Sequence, residues 1–568
     1  LHRVNPPKIG STGTKSTRTP ISDWIVAISC IFFFAAGRAF IPHLGLQNDE
    51  ALFGYAIYEP RAGLFMVQFL GARLPLMLMS YLGTLKGWIY RQIFRAVRPG
   101  LSSIRVPMVL AGVGTIWLFA QLLRRISDSR AAAIGAMLLA SDALFLLTLS
   151  FDWGPVALQH LLLVGGMLLV VKFFQDRSER ALCGGFFLFG LGLWDKALMI
   201  WLLGGMAFAA VVVFPRRIRD AFTPPRAAAV VLAFVVGALP LIVYNAANNW
   251  ETFRGNAALD FSDIRGKAHL LVSCFAGDAL FGWLVAEDHE TPAPRQPSNL
   301  LERASFQLSG RTGQPRHNLM IIAFFAALLL APLASAGERR AILFAGIAMA
   351  VAWGQMAVTR NAGGSAHHAV LLWPFPQMII AISFAGASRR LGRYGVPVLA
   401  IALVLILVPN LLVMNQYYVQ EIRNGGGINW NDSIVPLAVY IRDVSASNVF
   451  CVDWGILDSI RLLNRGRTPV RVGSDPISKP ELSAADREAV HDWIKDPDHV
   501  FLAHTAGNEF FQGNNAKLVA LAAGMGYRQE VMKVISDRFG RAFFEVYRFR
   551  RAEETEPPQS SSRQRAGS

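Results

Sequence analysis

Blocks of apolar residues, most of them roughly 17–22 long, recur from near Trp24 to about residue 415 and then stop. A helix of that length crosses a hydrocarbon layer ~30 Å thick. Inside lipid the backbone must satisfy its own polar groups, so such blocks are read as spanning helices. They fall near 24–41, 103–123, 131–150, 155–172, 181–194, 197–214, 227–245, 318–335, 341–358, 369–386 and 396–414. Composition agrees. The 568 residues are 53% hydrophobic and only 17% charged, against about 25% charged in an ordinary soluble domain. The expectation is a mostly α, polytopic membrane protein with about eleven transmembrane helices over 23–415.

The formal charge of +16 raises nucleic acid as a partner, but no recognition motif accompanies it. In a membrane protein Lys and Arg gather in the cytoplasmic loops. With the N-terminus inside, the inner face receives the basic tail 1–22, then Arg124/Arg125/Arg130, Lys172/Arg177/Arg180, Arg216/Arg217/Arg219, Arg339/Arg340 and Arg389/Arg390/Arg393. The six basic stretches agree. No A-x-A-like site follows the first block, which reads as an uncleaved span. The four cysteines, Cys30, Cys183, Cys274 and Cys451, are far apart in sequence and form neither a metal motif nor a disulfide framework.

Two moderately apolar stretches, 64–84 and 267–285, carry interior charge or proline (Arg73 and Pro75; Asp278). Either one alone as a span would turn the later basic loops outward, so both are expected at the outer membrane surface. Leu85, Trp88, Ile89 and Ile93 follow at helical spacing, with Arg91, Arg95 and Arg98 on another face. That is the pattern of an interfacial helix, so 43–101 is expected to hold such helices. From 416 to 550 helix and strand signals alternate, predicting a small α/β domain outside the membrane. It lacks G-x-G-x-x-G after its first strand, so nucleotide binding is not supported. Residues 551–568 read as a disordered tail.

The polar residues that stand out all fall on the outer side. Asp49 and Glu50 lie just past the first span. Beside lipid, two adjacent carboxylates can be driven to different pKa values, one remaining ionised as a base; otherwise they are two solvated loop acids. Asp152 sits in the tight turn Phe151-Asp152-Trp153-Gly154-Pro155, as a site acid or a helix cap. Lys86 reads as a phosphate ligand or as a snorkelling lysine. Lys196 reads as a site cation or as a partner for Asp195. His367 and His368 open a span, with Arg360 nearby as a candidate for an anion site. Together these are carboxylates plus cations above lipid. Transfer of a sugar from a polyprenyl-phosphate carrier needs that combination: a base for the acceptor hydroxyl and cations for the departing phosphate.

On Asp49-Glu50, the string Pro75-Leu-Met-Leu-Met-Ser-Tyr-Leu-Gly-Thr-Leu-Lys86, the 151–155 turn, and His367-His368 with Trp373-Pro374-Phe375, the chain resembles the GT-C-fold membrane glycosyltransferases. It looks most like the dolichyl-phosphate-mannose protein mannosyltransferase family and its bacterial aminoarabinose-transferase relatives, over roughly 20–415. The resemblance implies that Asp49 is the catalytic base and that the sugar inverts. It also implies that Lys86 and the His367/His368 region lie near the carrier phosphate or sugar, with Asp152 as the second acidic position. Glu50 then orients Asp49 or the substrate. The implied donor is a polyprenyl-phosphate-linked sugar; the acceptor stays open among lipid, glycan and protein. The tail does not resemble the mannosyltransferases' β-trefoil insertion, which counts against a protein acceptor. Related enzymes differ in their use of a divalent cation, so that cofactor stays open, though the sequence holds no dedicated metal cage. The alternative, a transporter or flippase, needs charge at mid-membrane depth, and the span interiors are nearly free of it.

Overall fold

The computed structural model describes residues 20–58, 65–69 and 71–552. Most of the basic tail (1–19) and nearly all of the C-terminal tail (553–568) therefore lie outside the described residues. All eleven predicted blocks are helical. Among the described residues, seven helices are individually long and apolar enough to cross a membrane, or up to nine spans if each of two bent pairs counts as one. The remaining two blocks form the 17-residue helix Glu179–Asp195 and the short apolar segment Met320–Leu333.

One bent pair, Ser129–Ser141 with Ala143–Ser150, turns by 63° at Asp142. The cause is local. Asp142 Oδ1 accepts from the Phe145 amide and so begins a new helix. Its Oδ2 accepts from Trp373 Nε1 at 2.7 Å and Gln377 Nε2 at 3.2 Å. Those two residues belong to the stretch 369–388, which is buried throughout, as expected of a helix apolar on all sides. Around it, Trp24, Ile28, Trp117, Phe208, Leu232, Leu329 and Ile401 are exposed. On membrane helices these form a lipid-facing surface.

Ion pairs tie the predicted basic loops together at one end of the bundle. Arg389 bonds Asp128 and Glu338, Arg125 bonds Asp176, and Arg226 bonds Glu179. The opposite end carries the 43–101 region and the C-terminal domain.

In that region the structure corrects the expected run of surface helices. Residues 65–83 form an antiparallel sheet of β1 (Phe65–Phe69), β2 (Ala72–Met79) and β3 (Leu82–Gly83). Pro75 explains the difference: it has no amide proton for a helix, while its carbonyl accepts from Thr84 Oγ1 and Trp88 Nε1. The following helix, Leu85–Ala96, is present, and Arg91, Arg95 and Arg98 are exposed. It buries Lys86, Tyr90 and Phe94, however, rather than the predicted stripe, and Ile89 is exposed. The other surface stretch holds the 13-residue helix Ile264–Ala276, too short to span.

Helix Gly395–Asn424 runs past 415, so the C-terminal domain begins after it. Its mixed sheet joins β4 (Val449–Cys451), β5 (Val470–Val472), β6 (Val500–His504), β7 (Tyr527–Ser536) and β8 (Ala542–Arg551) in the order β5-β4-β6-β8-β7. Strands β4, β5 and β6 are parallel, and β6-β8-β7 are antiparallel. Helices alternate with these strands, as the signals over 416–550 predict. The domain docks on the segment that carries Asp49. Arg461, paired with Asp458 at 2.6 Å, stacks on Tyr55 at 3.5 Å, and Ser459 Oγ donates to the Leu46 carbonyl. The Gly45 amide donates to the Trp430 carbonyl.

Helices Glu179–Asp195 and Pro224–Ala247 cross in close backbone contact at reciprocal glycines. A Cβ on Gly190 would lie 2.2 Å from the Phe234 carbonyl oxygen, and one on Gly237 would lie 2.4 Å from that of Phe187. Small residues permit such contacts in membranes. Gly190→Ala and Gly237→Ala are each expected to force the helices apart at a cost of about 1–3 kcal/mol, seen as a lowered midpoint in thermal unfolding of the detergent-solubilised chain.

Candidate active site

The first loop is held by one arginine. Arg105, inside helix Leu101–Ile126, is 0% exposed and its partner Glu50 is 1% exposed. Arg105 Nε donates to Glu50 Oε1 at 2.6 Å, and Nη2 to Oε2 at 2.9 Å. The remaining N–H groups donate to the carbonyls of Ile41, Leu44 and Gly45. The guanidinium also lies 4.5 Å from the Phe151 ring centroid. Both Glu50 oxygens are therefore engaged. This planar, five-donor arrangement is one that only arginine supplies.

Asp49, the neighbouring residue, is placed differently. It sits in the short helix Asn48–Ala51, whose N-cap Gln47 accepts from the Asp49 and Glu50 amides through its side chain. The Asp49 side chain is half-buried and lines a narrow cleft with Phe53, Leu82, Gly83, Lys86 and Asp195. Burial raises its carboxyl above the ordinary range, with Lys196, Gln47 and Lys86 pulling partway back.

Asp152 and Lys86 form a buried ion pair, Nζ to Oδ2 2.6 Å. Asp152 has a left-handed backbone, φ +44°, which Asp tolerates better than most residues. Its Oδ1 accepts from the Val156 and Ala157 amides at the start of helix Ala157–Asp176. Asp152 is thus both a helix cap and the partner of Lys86. Lys86 Nζ also donates to the Glu50 carbonyl and lies over the Phe53 ring.

Lys196 reaches the same 151–155 turn from another side, donating to the Gly154 carbonyl at 2.6 Å. Burial lowers its pKa to about 8, with Asp49, Asp195 and Asp152 opposing that fall. Asp195 does not take up its neighbouring lysine in a short ion pair, and its Oδ2 is buried without a hydrogen-bond partner. His367 packs on the Trp153 ring at 4.7 Å and closes over Gly154, where a Cβ would lie 2.3 Å from its ring. His368 meets His367 edge-on, ring centroids 4.2 Å apart, and its Nδ1 has no partner.

The structure therefore gathers Asp49, Lys86, Asp152, Lys196 and the His367/His368 pair around one turn. Glu50 lies behind them, with both oxygens on Arg105. Arg360 is not brought into this group; it is 63% exposed and its partner is Asp260 at 3.7 Å. Among the described residues no three His, Cys, Asp or Glu converge to hold a metal ion. The cations Lys86 and Lys196 stand beside the available carboxylates, so the residues present do not fit a divalent cation. Arg105 and Asp142 are the groups that sequence reasoning missed. Their available signal was a single charge inside an apolar block, a pattern that marks function or a buried partner.

Residues 83–244, which include Lys86, Arg105, Asp152, Asp195 and Lys196, match the family described as dolichyl-phosphate-mannose-protein mannosyltransferase. No curated protein sequence matches the chain significantly. In structure it is similar to ArnT from Cupriavidus metallidurans bound to undecaprenyl phosphate, at 12% identity and TM-score 0.56 over 92% of this chain and 97% of that one. AglB from Archaeoglobus fulgidus in complex with an inhibitory peptide and a dolichol-phosphate is 12% identical, with TM-score 0.48 over 85% of this chain and 69% of that one. The arabinofuranosyltransferase AftD from Mycobacteria is 13% identical, with TM-score 0.46 over 93% and 40%. The fold is the GT-C fold, as the ArnT match shows. The family match covers 83–244, and the likeness to ArnT describes a multi-pass membrane protein of that fold.

Arg105→Leu is expected to strand a buried carboxylate and three carbonyls, costing about 3–5 kcal/mol. Arg105→Lys is also expected to destabilise, because one ammonium cannot serve both Glu50 oxygens and the loop. Thermal unfolding in detergent measures both.

Proposed function

We propose that this chain transfers a sugar from a polyprenyl-phosphate carrier to an acceptor hydroxyl, inverting the anomeric carbon, with Asp49 as general base. The observation that carries the reading is the division of labour among the carboxylates. Glu50 is bonded to Arg105 through both oxygens, and Asp152 is occupied by Lys86 and two amides. Asp49 alone of these three is half-buried and lines the narrow cleft beside Lys86.

In the reaction the acceptor oxygen attacks the anomeric carbon as its proton passes to Asp49. The bond from that carbon to the phosphate oxygen breaks, and its electron pair leaves with the phosphate. Lys86 and Lys196 stand beside the same cleft and turn, where positive charge stabilises the leaving group in a poorly solvated site. Lys86 is held by Asp152 and Lys196 by the Gly154 carbonyl, so neither must be ordered when the donor arrives. Phosphate is already a tolerable leaving group, so no general acid is required. His367 and His368, packed on the same turn, supply the wall facing the sugar or phosphate. Glu50, through Arg105, positions the loop that carries the base. The bias of basic loops to one end assigns that end to the cytoplasm, so the site and C-terminal domain face away from it.

Asp49→Asn is expected to reduce transfer at least 100-fold while the chain remains folded and retains undecaprenyl phosphate. Retained transfer would overturn the assignment of the base. The pH profile is a second check. Asp49 must be ionised, so activity should rise with pH through a point above the ordinary carboxylate range, because burial raises this group. Lys196 must be protonated, so activity should fall again as pH passes about 8. Lys196→Arg should move the basic limb upward, and an unmoved limb would remove Lys196 from that role.

A further inference from the structure

Asp49 belongs to a helix of only four residues, Asn48–Ala51. Isolated helices shorter than ~12 residues are marginal in water, so this one keeps its shape through contacts made elsewhere. Arg105 supplies one set, through Glu50 and the carbonyls of Ile41, Leu44 and Gly45. A second set comes from the C-terminal domain.

That set is carried by the helix Leu457–Leu463, between β4 and β5. Six of its seven residues are buried, and three of those are polar: Asp458, Ser459 and Arg461. Ser459, 0% exposed, donates through Oγ to the Leu46 carbonyl at 3.0 Å. Asp458 meets the side-chain amide of Asn48 and pairs with Arg461 at 2.6 Å. Arg461 in turn lies over the Tyr55 ring at 3.5 Å. Leu462 packs on Gly54, where a Cβ would lie 3.3 Å from the leucine Cβ. Buried polar groups are costly unless they are paired. A helix that buries three of them against one loop is therefore committed to that loop.

These contacts bracket Asp49. Leu46 is held by Ser459, Gln47 caps the helix, Asn48 meets Asp458, and Glu50 is held by Arg105. Of residues 46–50, Asp49 is the one that lines the cleft beside Lys86. Misplacing a reacting group by about 1 Å can cost ~100-fold in rate, so holding its neighbours on both sides protects the geometry of the reaction. We propose that the C-terminal domain is part of the catalytic apparatus, with Asp458 and Ser459 as positioning residues that hold the helix carrying Asp49. This rests on the reading of Asp49 as the base given above.

The test sets hydrogen exchange of the 46–51 amides, measured by mass spectrometry on the full chain in detergent, beside transfer. Transfer is measured by adding the chain to membranes of its source cells that lack it, which hold donor and acceptor together. Asp458→Ala is expected to speed exchange at 46–51 and to slow transfer, each about 10-fold, while undecaprenyl phosphate is still retained. Ser459→Ala removes one hydrogen bond and should speed exchange about 5-fold; it serves if Asp458→Ala fails to fold. Val490→Ala is the control, because Val490 is 0% exposed in a separate core of the same domain. It should lower the thermal midpoint but leave exchange at 46–51 and transfer unchanged. Unchanged exchange in the Asp458 and Ser459 variants, faster exchange with undiminished transfer, or the same losses in Val490→Ala would each overturn the proposal. Exchange needs no transfer chemistry, so these failures are distinct from retained transfer by Asp49→Asn, which would overturn the base assignment.

Discussion

The arrangement of the site depends on the buried pair of Arg105 and Glu50. Five donors from one guanidinium close the 41–45 backbone and both oxygens of Glu50 onto a membrane helix. Taking two ions out of water is expensive, and such a pair is weak evidence for stability in its own right. What it supplies is geometry. It aligns the turn before Asn48–Ala51, sets Asp49 towards the cleft, and presents Gly45 to Trp430 of the chain leading into the C-terminal domain. A Cβ on Gly45 would lie 1.9 Å from the Asn431 carbonyl oxygen, so no larger residue fits that contact.

The second organising feature is the 151–155 turn. Lys86 meets Asp152, Lys196 meets the Gly154 carbonyl, and His367 covers Trp153 and Gly154. Elements far apart in sequence are brought to one short stretch of backbone by the packing of the bundle. Both cations are held by the fold itself, the condition under which fixed charges would act most strongly in the proposed reaction. The C-terminal domain extends this order, since Arg461 and Ser459 brace the same loop from the other side.

Much of this was legible in sequence. Apolar block length found the seven to nine candidate spans among the described residues, because lipid leaves a spanning backbone few alternatives to helix. The alternating patterns of the C-terminal domain gave its strands and helices in order. The stretch 65–83 was misread because its apolar content is like that of a surface helix. Only the antiparallel pairing of β1 with β2, around a proline, made it a sheet. Along helix Leu85–Ala96 the apolar stripe suggested one buried face, but the tertiary partners bury Lys86, Tyr90 and Phe94 instead. Arg105 escaped notice because one charge hardly changes the hydropathy of a 26-residue helix.

By itself the sequence determined a membrane bundle with a small α/β domain, and it placed Asp49, Glu50, Lys86, Asp152, Lys196 and the His367/His368 pair towards one end. Those are consequences of composition and spacing, which act locally along the chain. Which carboxylate is left available was decided only by the tertiary structure. Asp49 and Glu50 are neighbours of nearly the same chemistry, and no local pattern distinguishes them. The difference comes from Arg105, more than fifty residues away, whose guanidinium takes both oxygens of one acid and leaves the other beside the cleft.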